Sequence, residues 1–263
     1  MIDALHIAAT GMQAQQLHVE VIANNLSNLG TVGFKKSRVA FVDLVASETA
    51  RAAATESAGM AIGSGVMRAG PGVGIAQVLR LFDAGELQQT GGVLDVALQG
   101  GAFIEVSGPD AARLFSRGGH LKVNTEGMLT TATGEVLRPG IAIPTDASNV
   151  KISPEGAVTF SQPGRRLPVE AGVLDFVRFA DPTALQLAGD GLYRATAASG
   201  DAVPVRPGVD DATRVVQGKV EASNVRLTEE MIGLVAAQRA YAVNTKVLQA
   251  ADEMLGMINT LRK

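Results

Sequence analysis

Side chains that could do chemistry are few in this 263-residue chain, and their spacing does not group them. The three histidines are His6, His18 and His120, and none belongs to an HExxH pattern. His6 and His18 lie on one predicted helix, about 120° apart around its axis, so they cannot hold the same metal ion. Cysteine is absent, which excludes disulfides, thiolate catalysis and Cys-ligated metals. We therefore expect no metal site.

Phosphate-binding loops and paired carboxylates are not predicted either. The segment GPGVG at 70–74 lacks the spacing of a dinucleotide-binding loop or a P-loop. Asp43, Asp95, Glu105 and Asp175 fall in different predicted elements, and nothing in their spacing makes them converge. No serine lies in a GxSxG context. We expect no catalytic residue and no cofactor, and an enzyme such as a cell-wall hydrolase is the least favoured function.

Composition and charge argue against several classes of protein. The formal net charge is −3 and the isoelectric point about 5.7, which argues against nucleic acid as a partner. No apolar run predicts membrane insertion, and we expect no cleavable signal peptide. Aromatic residues make up 4% of the chain, so the core is expected to be aliphatic and alanine-rich. The basic clusters Lys35–Lys36–Arg38 and Arg165–Arg166 are interpreted as solvated surface.

The elements that could position side chains begin with an N-terminal helix. Its apolar residues recur in two heptad series, which is typical of the narrow seam of a coiled coil. The first series is Leu5, Met12, Val19 and Leu26, and the second is Ala8, Gln15, Ile22 and Leu29. Gly11 interrupts this helix and should weaken it in isolation by about 1 kcal/mol relative to alanine.

A second helix with the same pattern is predicted near the C-terminus, from about 226 to 261. Its two series are Leu227, Leu234, Tyr241, Leu248 and Leu255, then Glu230, Ala237, Asn244, Ala251 and Ile258. Asn224 is the predicted N-cap, and acidic residues in the first turns suit the helix dipole. The helix would be about 54 Å long. Because the chain offers no third helix, such a seam is expected to need partners.

Between the helices the apolar period changes to two, which predicts strands joined by glycine-containing turns. The predicted turns lie at 100–101, 125–127, 133–134 and 154–156, and their spacing suggests an all-β sandwich or barrel. The glycine-rich segment 54–77 has little periodicity and is expected to be an extended arm that links neighbouring molecules.

The predicted fold class is α+β, with long N- and C-terminal helices paired as a coiled coil, an inserted all-β domain and a Gly-rich extended arm. The predicted domains are a helical core of 1–30 with 225–263, a linker and arm of 31–80, and a β domain of 81–224.

Two terminal motifs are similar to those of a known family. VIANNLSNLGTVGFKK (21–36) resembles the N-terminal signature of the bacterial flagellar rod and hook axial proteins. EASNVRLTEEMIGLVAAQRAYAVNTKVLQAADEMLGMINTLR (221–262) resembles their C-terminal signature. The segments at 85–106, 115–137 and 141–160 are similar to the distal-rod branch of that family.

The resemblance implies a structural subunit that self-assembles into the flagellar rod, the drive shaft that crosses the periplasm. Implied partners are further copies of this chain, other rod and hook subunits, surrounding ring proteins and the export apparatus. The terminal helices would pack into an inner tube and be largely disordered before assembly. Asn24, Asn25 and Asn28 would cap the first helix and bond neighbouring subunits.

The residues expected at the assembly interface lie on the two helices and next to their ends. They are Leu5, Met12, Val19, Ile22, Asn24, Asn25, Leu26, Asn28, Gly33, Phe34, Asn224, Leu227, Met231, Leu234, Gln238, Arg239, Tyr241, Asn244, Leu248 and Leu255.

Two alternatives stay open. The chain could be a proximal-rod paralogue, or its β domain could be a binding module for peptidoglycan or a ring protein, with the helices serving only to dimerise it. An acidic, aromatic-poor β domain is a weak platform for glycans, which disfavours the second alternative.

Overall fold

The computed structural model describes residues 2–44, 72–108, 112–208 and 213–261. The chain divides into two compact units. The helical unit comprises Met1–Leu26, Ser37–Leu79 and Leu227–Lys263, and the β unit comprises Ser27–Lys36 and Arg80–Arg226. The backbone therefore passes from one unit to the other four times.

The helical unit contains two long helices and one pair of strands. Helix α1 spans Ile2–Ser27 and helix α2 spans Leu227–Leu261, as the heptad pattern predicts. Strands β1 (Ser37–Asp43) and β2 (Val73–Arg80) form a two-stranded sheet. The sequence pattern did not predict these strands, since both lie inside the predicted linker and arm. The last residues of the arm, 73–77, are thus part of β2, while most of the arm lies outside the described residues.

The β unit holds the other strands that the structure describes. They are β3 (Leu87–Gln89), β4 (Asp95–Gln99), β5 (Phe103–Ser107), β6 (Arg113–Ser116), β7 (Gly118–Val123), β8 (Leu129–Thr131), β9 (Val136–Leu137), β10 (Ser148–Ile152), β11 (Ala157–Ser161), β12 (Val169–Val173), β13 (Phe176–Arg178), β14 (Gln186–Gly189), β15 (Leu192–Arg194), β16 (Val203–Val205), β17 (Arg214–Gln217) and β18 (Lys219–Glu221). A short 3₁₀ helix spans Pro182–Ala184, between β13 and β14.

Most of these strands belong to one sheet of eleven strands within the described part of the chain. Its main path runs β14-β15-β6-β5-β9-β8-β7-β4-β17, and β13 joins it by pairing with β5 and β16. Strands β10, β11 and β12 form a separate sheet, and β18 pairs with β3. The hairpins β7–β8 and β10–β11 close at the predicted turns, where Gly127 and Gly156 have positive φ angles of 80° and 88°.

The core of the β unit has an aliphatic part and an aromatic part. Val96, Leu98, Ile104, Leu129 and Ile141 are among the residues at the centre of the aliphatic cluster, and all are at most 1% exposed. A second buried cluster contains the side chains Phe103, Phe115, Val177, Phe179, Leu185 and Tyr193. The expectation of an aliphatic, alanine-rich core was therefore wrong for this part of the β unit, because Phe103, Phe115, Phe179 and Tyr193 are buried together there.

The α+β composition, with helices at both ends and a large β region between them, is confirmed. The domain boundaries given from sequence stay a prediction, as does the coiled-coil character of the helix pair. None of the described helices is long and apolar enough to span a membrane.

Candidate assembly surface

Helices α1 and α2 contact each other within the helical unit. Thr245 Oγ1 donates a hydrogen bond to Met12 Sδ over 3.6 Å. Ile22 Cδ1 lies against Gly233, 3.4 Å from the position that a Cβ atom there would take. The residue number rises on α1 as it falls on α2, so the two helices run antiparallel.

Gly11 lies at a close contact between these helices. A Cβ atom at this position would lie 2.8 Å from Asn244 Nδ2, inside van der Waals contact. Alanine would favour the helix by about 1 kcal/mol in isolation, but the missing side chain leaves room for the Asn244 amide. The glycine that looked like a weak point of α1 is therefore a packing position.

Small side chains form the rest of the buried seam. Ala8, Ala14, Ala237 and Ala251 are each at most 3% exposed. Alanines favour helix formation and allow a short distance between helix axes, but each buries little apolar area. The contact between α1 and α2 is therefore close but modest in hydrophobic energy.

Asn25 is the buried polar residue of this seam, with only 1% of its surface exposed. Its Oδ1 accepts from the backbone N–H of Ser37 at 2.9 Å, and its Nδ2 donates to the Ser37 carbonyl at 2.9 Å. Nδ2 also donates to Glu230 Oε2 at 3.1 Å. One amide thus joins α1, the start of β1 and α2, and a buried amide that loses such partners costs about 1–3 kcal/mol.

A stripe of apolar side chains on α2 lies open to solvent. We call it the outer stripe, and it consists of Ile232, Val235, Val243, Val247, Met254 and Met257, which are between 44% and 71% exposed. Their spacings of three, four, seven and eight residues place them on one face of the helix. Ala237, Asn244 and Ala251 lie on another face, the one that is buried or half-buried. Helix α2 is therefore apolar on two faces, and the described part of this chain covers one of them.

The pair of strands β1 and β2 also exposes apolar side chains. Phe41 meets the ring of His18 edge-on, with centroids 5.6 Å apart, so one face of the pair packs on α1. Val42, Ile75 and Val78 are nevertheless 41% to 46% exposed. A two-stranded sheet is marginal without cover on its apolar surface.

The β unit contains a cluster of polar and charged side chains that we call the junction cluster: Lys35, Arg117, Glu221 and Asn224. The three charged members are buried. Lys35 Nζ donates to Glu221 Oε1 at 2.6 Å and to the Asp83 carbonyl at 2.8 Å, and its side chain has no exposed surface. Burial lowers the pKa of the Lys35 ammonium below its ordinary value of 10.5, although the Glu221 carboxylate opposes that shift.

Arg117 is the second cation of the junction cluster. One of its terminal nitrogens donates to Glu221 Oε2 at 3.3 Å. The guanidinium also donates to the carbonyls of Leu98, Gly100 and Ala102 and lies 5.5 Å from the centre of the Phe103 ring. Two cations thus share one carboxylate, and backbone carbonyls help to compensate the excess positive charge.

Asn224 completes the junction cluster through backbone contacts. Its Oδ1 accepts from the Lys36 N–H at 2.7 Å, and its Nδ2 donates to the carbonyls of Leu81 at 2.8 Å and Asp83 at 3.2 Å. Since α2 begins at Leu227, the prediction that Asn224 is its N-cap was wrong. The amide instead ties together two segments that are distant in sequence.

Three family models match this chain. The model "Flagella basal body rod protein" covers residues 5–35, "Flagellar hook protein FlgE/F/G D1 domain" covers 97–160, and "Flagellar basal body rod FlgEFG protein C-terminal" covers 216–261. The first model contains most of α1 and the third contains all of α2. Together they include three residues of the junction cluster, Lys35, Glu221 and Asn224.

Full-length relatives decide the family. The chain is 39% identical over 267 residues to the flagellar basal-body rod protein FlgG of Borreliella burgdorferi, with 100% of both chains covered. It is 38% identical over 261 residues to FlgG of Caulobacter vibrioides, with 99% of each chain covered. The chain belongs to the flagellar basal-body rod protein family.

Similarity to the FlgF branch of this family is lower. FlgF of Salmonella typhimurium is 29% identical over 258 residues, with 96% of each chain covered. This rod-family chain is therefore a structural subunit of the flagellar rod, and its full-length similarity to FlgG fits the distal-rod identity indicated by the sequence motifs.

The predicted interface residues fall into four groups in this chain. Ile22 and Asn25 are buried, and Asn244 faces Gly11 across the helix pair. The half-buried members of the helices are Leu5, Met12, Val19, Leu26, Leu234, Leu248 and Leu255, and the exposed ones are Asn24, Leu227, Met231, Gln238, Arg239 and Tyr241. Asn28, Gly33, Phe34 and Asn224 belong to the β unit. Their participation in an interface between subunits stays a prediction.

The asparagines after the middle of α1 have different surroundings. Asn25 makes its hydrogen bonds within its own chain, as described above. Asn28 Oδ1 accepts from Thr31 Oγ1 at 3.1 Å in the turn that follows α1. That the amides of Asn24, Asn25 and Asn28 bond neighbouring subunits stays a prediction.

Sequence reasoning missed Lys35, Arg117 and Glu221. The interpretation of Lys35 as solvated surface was wrong, since it is 1% exposed, whereas Arg165 and Arg166 are exposed as expected. The segment KKSR (35–38) does not by itself predict that Lys35 is buried, because its partner Glu221 lies 186 residues away in the sequence. The available signal was that each of the two terminal motifs contains one charge of the pair.

Proposed function

We propose that this chain builds the flagellar rod as a helical homopolymer in which the outer stripe of α2 packs against the helices of neighbouring copies. The observation that carries the proposal is the exposure of six apolar side chains on one face of a helix. Apolar surface of that extent on a helix that is already packed on another face marks an interaction site. Repeated heterologous contacts of one kind produce a helical array.

The proposed energy source is burial of the stripe. Burial of a valine, isoleucine or methionine side chain contributes about 1.5–3 kcal/mol, so a full stripe exceeds what the alanine seam between α1 and α2 provides. On this proposal the helices pack as coiled coils chiefly with other copies, and they become fully ordered only on assembly. The rod so formed would transmit torque mechanically across the periplasm.

Further parts of the proposal concern partners. Other rod and hook subunits would continue the same helix packing above and below this protein, and ring proteins would meet its β unit from outside. No enzymatic step is required for this role. Within the described residues no three His, Asp or Glu side chains are placed to hold a metal ion.

A charge placed in the outer stripe tests the proposal. Ile232, 71% exposed in the single chain, is replaced by glutamate, and Gln249→Glu adds the same charge to α2 outside the stripe. Both purified variants are followed by sedimentation and light scattering over a range of concentrations. We expect Ile232→Glu to raise the critical concentration for polymer formation by at least about tenfold, because it removes one apolar side chain that the proposed packing buries in the polymer.

The control should polymerise like the unmodified chain. Equal critical concentrations for both variants would contradict the packing role of the stripe. Binding of the purified chain to peptidoglycan without any polymer would instead favour the binding-module alternative.

A further inference from the structure

The junction cluster lies at a special place along the chain. The backbone passes between the two units at residues 26–27, 36–37, 79–80 and 226–227. The cluster and the segments it joins, 33–36, 81–86 and 219–224, lie within the β unit. Along the chain, these segments lie beside the crossings at 36–37, 79–80 and 226–227, and segment 33–36 follows the crossing at 26–27 after six residues.

Hydrogen bonds between main chains bring these segments together. Gly33 N–H donates to the Glu221 carbonyl at 2.7 Å, and Asn224 N–H donates to the Phe34 carbonyl at 3.3 Å. Ala222 N–H donates to the Glu86 carbonyl at 2.8 Å. Strand β18 also pairs with β3 in an antiparallel register. The segment after α1 and the segment before α2 are therefore joined to each other and to the start of β3.

The side chains of the junction cluster stabilise the same arrangement from inside. Glu221 Oε1 accepts from the Gly85 N–H at 2.9 Å as well as from Lys35. All of these partners belong to the β unit, so none of them requires α1, α2 or a second subunit. These hydrogen bonds and ion pairs all form within a single chain.

We infer that the junction cluster fastens residues 33–36 and 219–224 to the β unit in the unassembled chain, and so fixes where order ends and assembly-dependent helix formation begins. The inference rests on the proposed function in one respect, that the terminal helices become ordered on assembly. Each helix would then grow from a held end, because α1 ends six residues before Gly33 and α2 begins three residues after Asn224 along the chain. Fixing an end reduces the entropy lost when the first turn forms.

The test is amide hydrogen exchange, resolved residue by residue, on the dilute full-length chain. The reporter amides are Gly33, Lys36, Ala222 and Asn224, which all donate within the β unit. We expect these four to be protected like the strands of the main sheet, while amides in 2–26 and 227–257 exchange almost freely. Unprotected reporter amides beside a protected sheet would overturn the inference.

Two variants show whether the cluster itself is responsible. Asn224→Ala removes the acceptor of the Lys36 N–H and keeps all charges, and Glu221→Gln leaves two buried cations without a carboxylate. Glu170→Gln, an exposed position on β12, is the matched control. We expect Asn224→Ala to lower reporter protection about tenfold more than protection in β5 and β6, from the loss of buried hydrogen bonds.

If Glu221→Gln unfolds the whole β unit, Asn224→Ala alone decides the question. Reporter protection equal to that of the control in Asn224→Ala would overturn the inference. Protected helices in the dilute chain would contradict the proposed function instead, and the variants would still test the cluster.

Discussion

The helical unit and the β unit achieve stability in different ways. The β unit buries a large aliphatic cluster, an aromatic cluster and a carboxylate, Glu221, that is paired with two cations. The helical unit buries alanines, Ile22 and one asparagine along its seam, and it leaves long apolar side chains in solvent. Apolar side chains of the kind that a domain usually buries are thus exposed on the helices. Such exposure is typical of a protein that packs against other molecules.

The difference teaches where the information for assembly lies. The ion pairs of the junction cluster and the two apolar clusters of the β unit all form within one chain, so that unit is expected to fold alone. The side chains of the outer stripe are 44% to 71% exposed in the described structure, so the helices are expected to depend on neighbours. Variants in the two units should therefore have different consequences, and the predictions below use this contrast.

The largest effect is expected from Glu221→Gln in the β unit. The substitution leaves Lys35 and Arg117 buried without an anion, and removal of one partner from a buried ion pair costs about 3–5 kcal/mol. Urea denaturation of the β unit, followed by strand-sensitive circular dichroism, should show a correspondingly lower midpoint. Glu170→Gln is the control, and equal midpoints would contradict the importance of the cluster.

A smaller loss is expected from Gly85→Ala, also in the β unit. The added Cβ would lie 2.1 Å from the Ala222 carbonyl oxygen, a backbone atom that cannot move without disturbing the junction. Overpacking of this kind costs about 1–3 kcal/mol. Gly101→Ala is a matched control, since a Cβ there meets nothing within 4 Å. The same urea experiment should separate the two variants.

Asn25→Ala should act on the polymer and leave the single chain unchanged. The amide joins α1 to Ser37 and Glu230, and its loss costs about 1–3 kcal/mol wherever the helical unit is ordered. We expect a lower melting temperature of polymers and an unchanged midpoint for the β unit of dilute chains. Gln13→Ala, at an exposed position on α1, should alter neither value. If Asn25→Ala lowered the urea midpoint of the β unit in dilute chains, the proposed independence of the two units would be contradicted.

The smallest effect is expected from acid. Hydrogen bonds from the Arg113 guanidinium hold the pKa of the Glu105 carboxyl below its ordinary value of 4.5, with Arg138 assisting. Because the pKa is lower in the folded state, this stabilisation is present above about pH 4.5 and is lost as the pH falls through the folded value. Glu105→Gln should flatten the acid limb of a plot of unfolding free energy against pH. An unchanged limb would contradict the assignment.

Much of the fold could be predicted from local patterns. The heptad series predicted α1 and α2 to within a few residues because a helix exposes its period directly in the sequence. The turns near Gly127 and Gly156 were predictable because positive φ angles favour glycine. In contrast, β1 and β2 were missed. They pair with each other although the glycine-rich segment separates them in the sequence, and no local sequence pattern predicts that pairing.

The candidate site was predictable only in part, for the same physical reason. The sequence predicted the helices as the assembly elements, which stays a prediction, and periodicity explains why Ile22 and Ala237 are buried. It did not separate the buried face of α2 from the outer stripe, because both faces carry apolar residues. Burial of Lys35 depends on Glu221 and on backbone carbonyls brought together by the sheet, which no spacing in the chain records.

The most direct test of the central claim compares helix content in dilute and assembled protein. Amide exchange of residues 2–26 and 227–257 should be nearly unprotected in the dilute chain and strongly protected in the polymer, while the strands of the β unit are protected in both. That result would support helices that are ordered by neighbouring copies. Helices as protected as the β unit at concentrations too low for assembly would contradict the account.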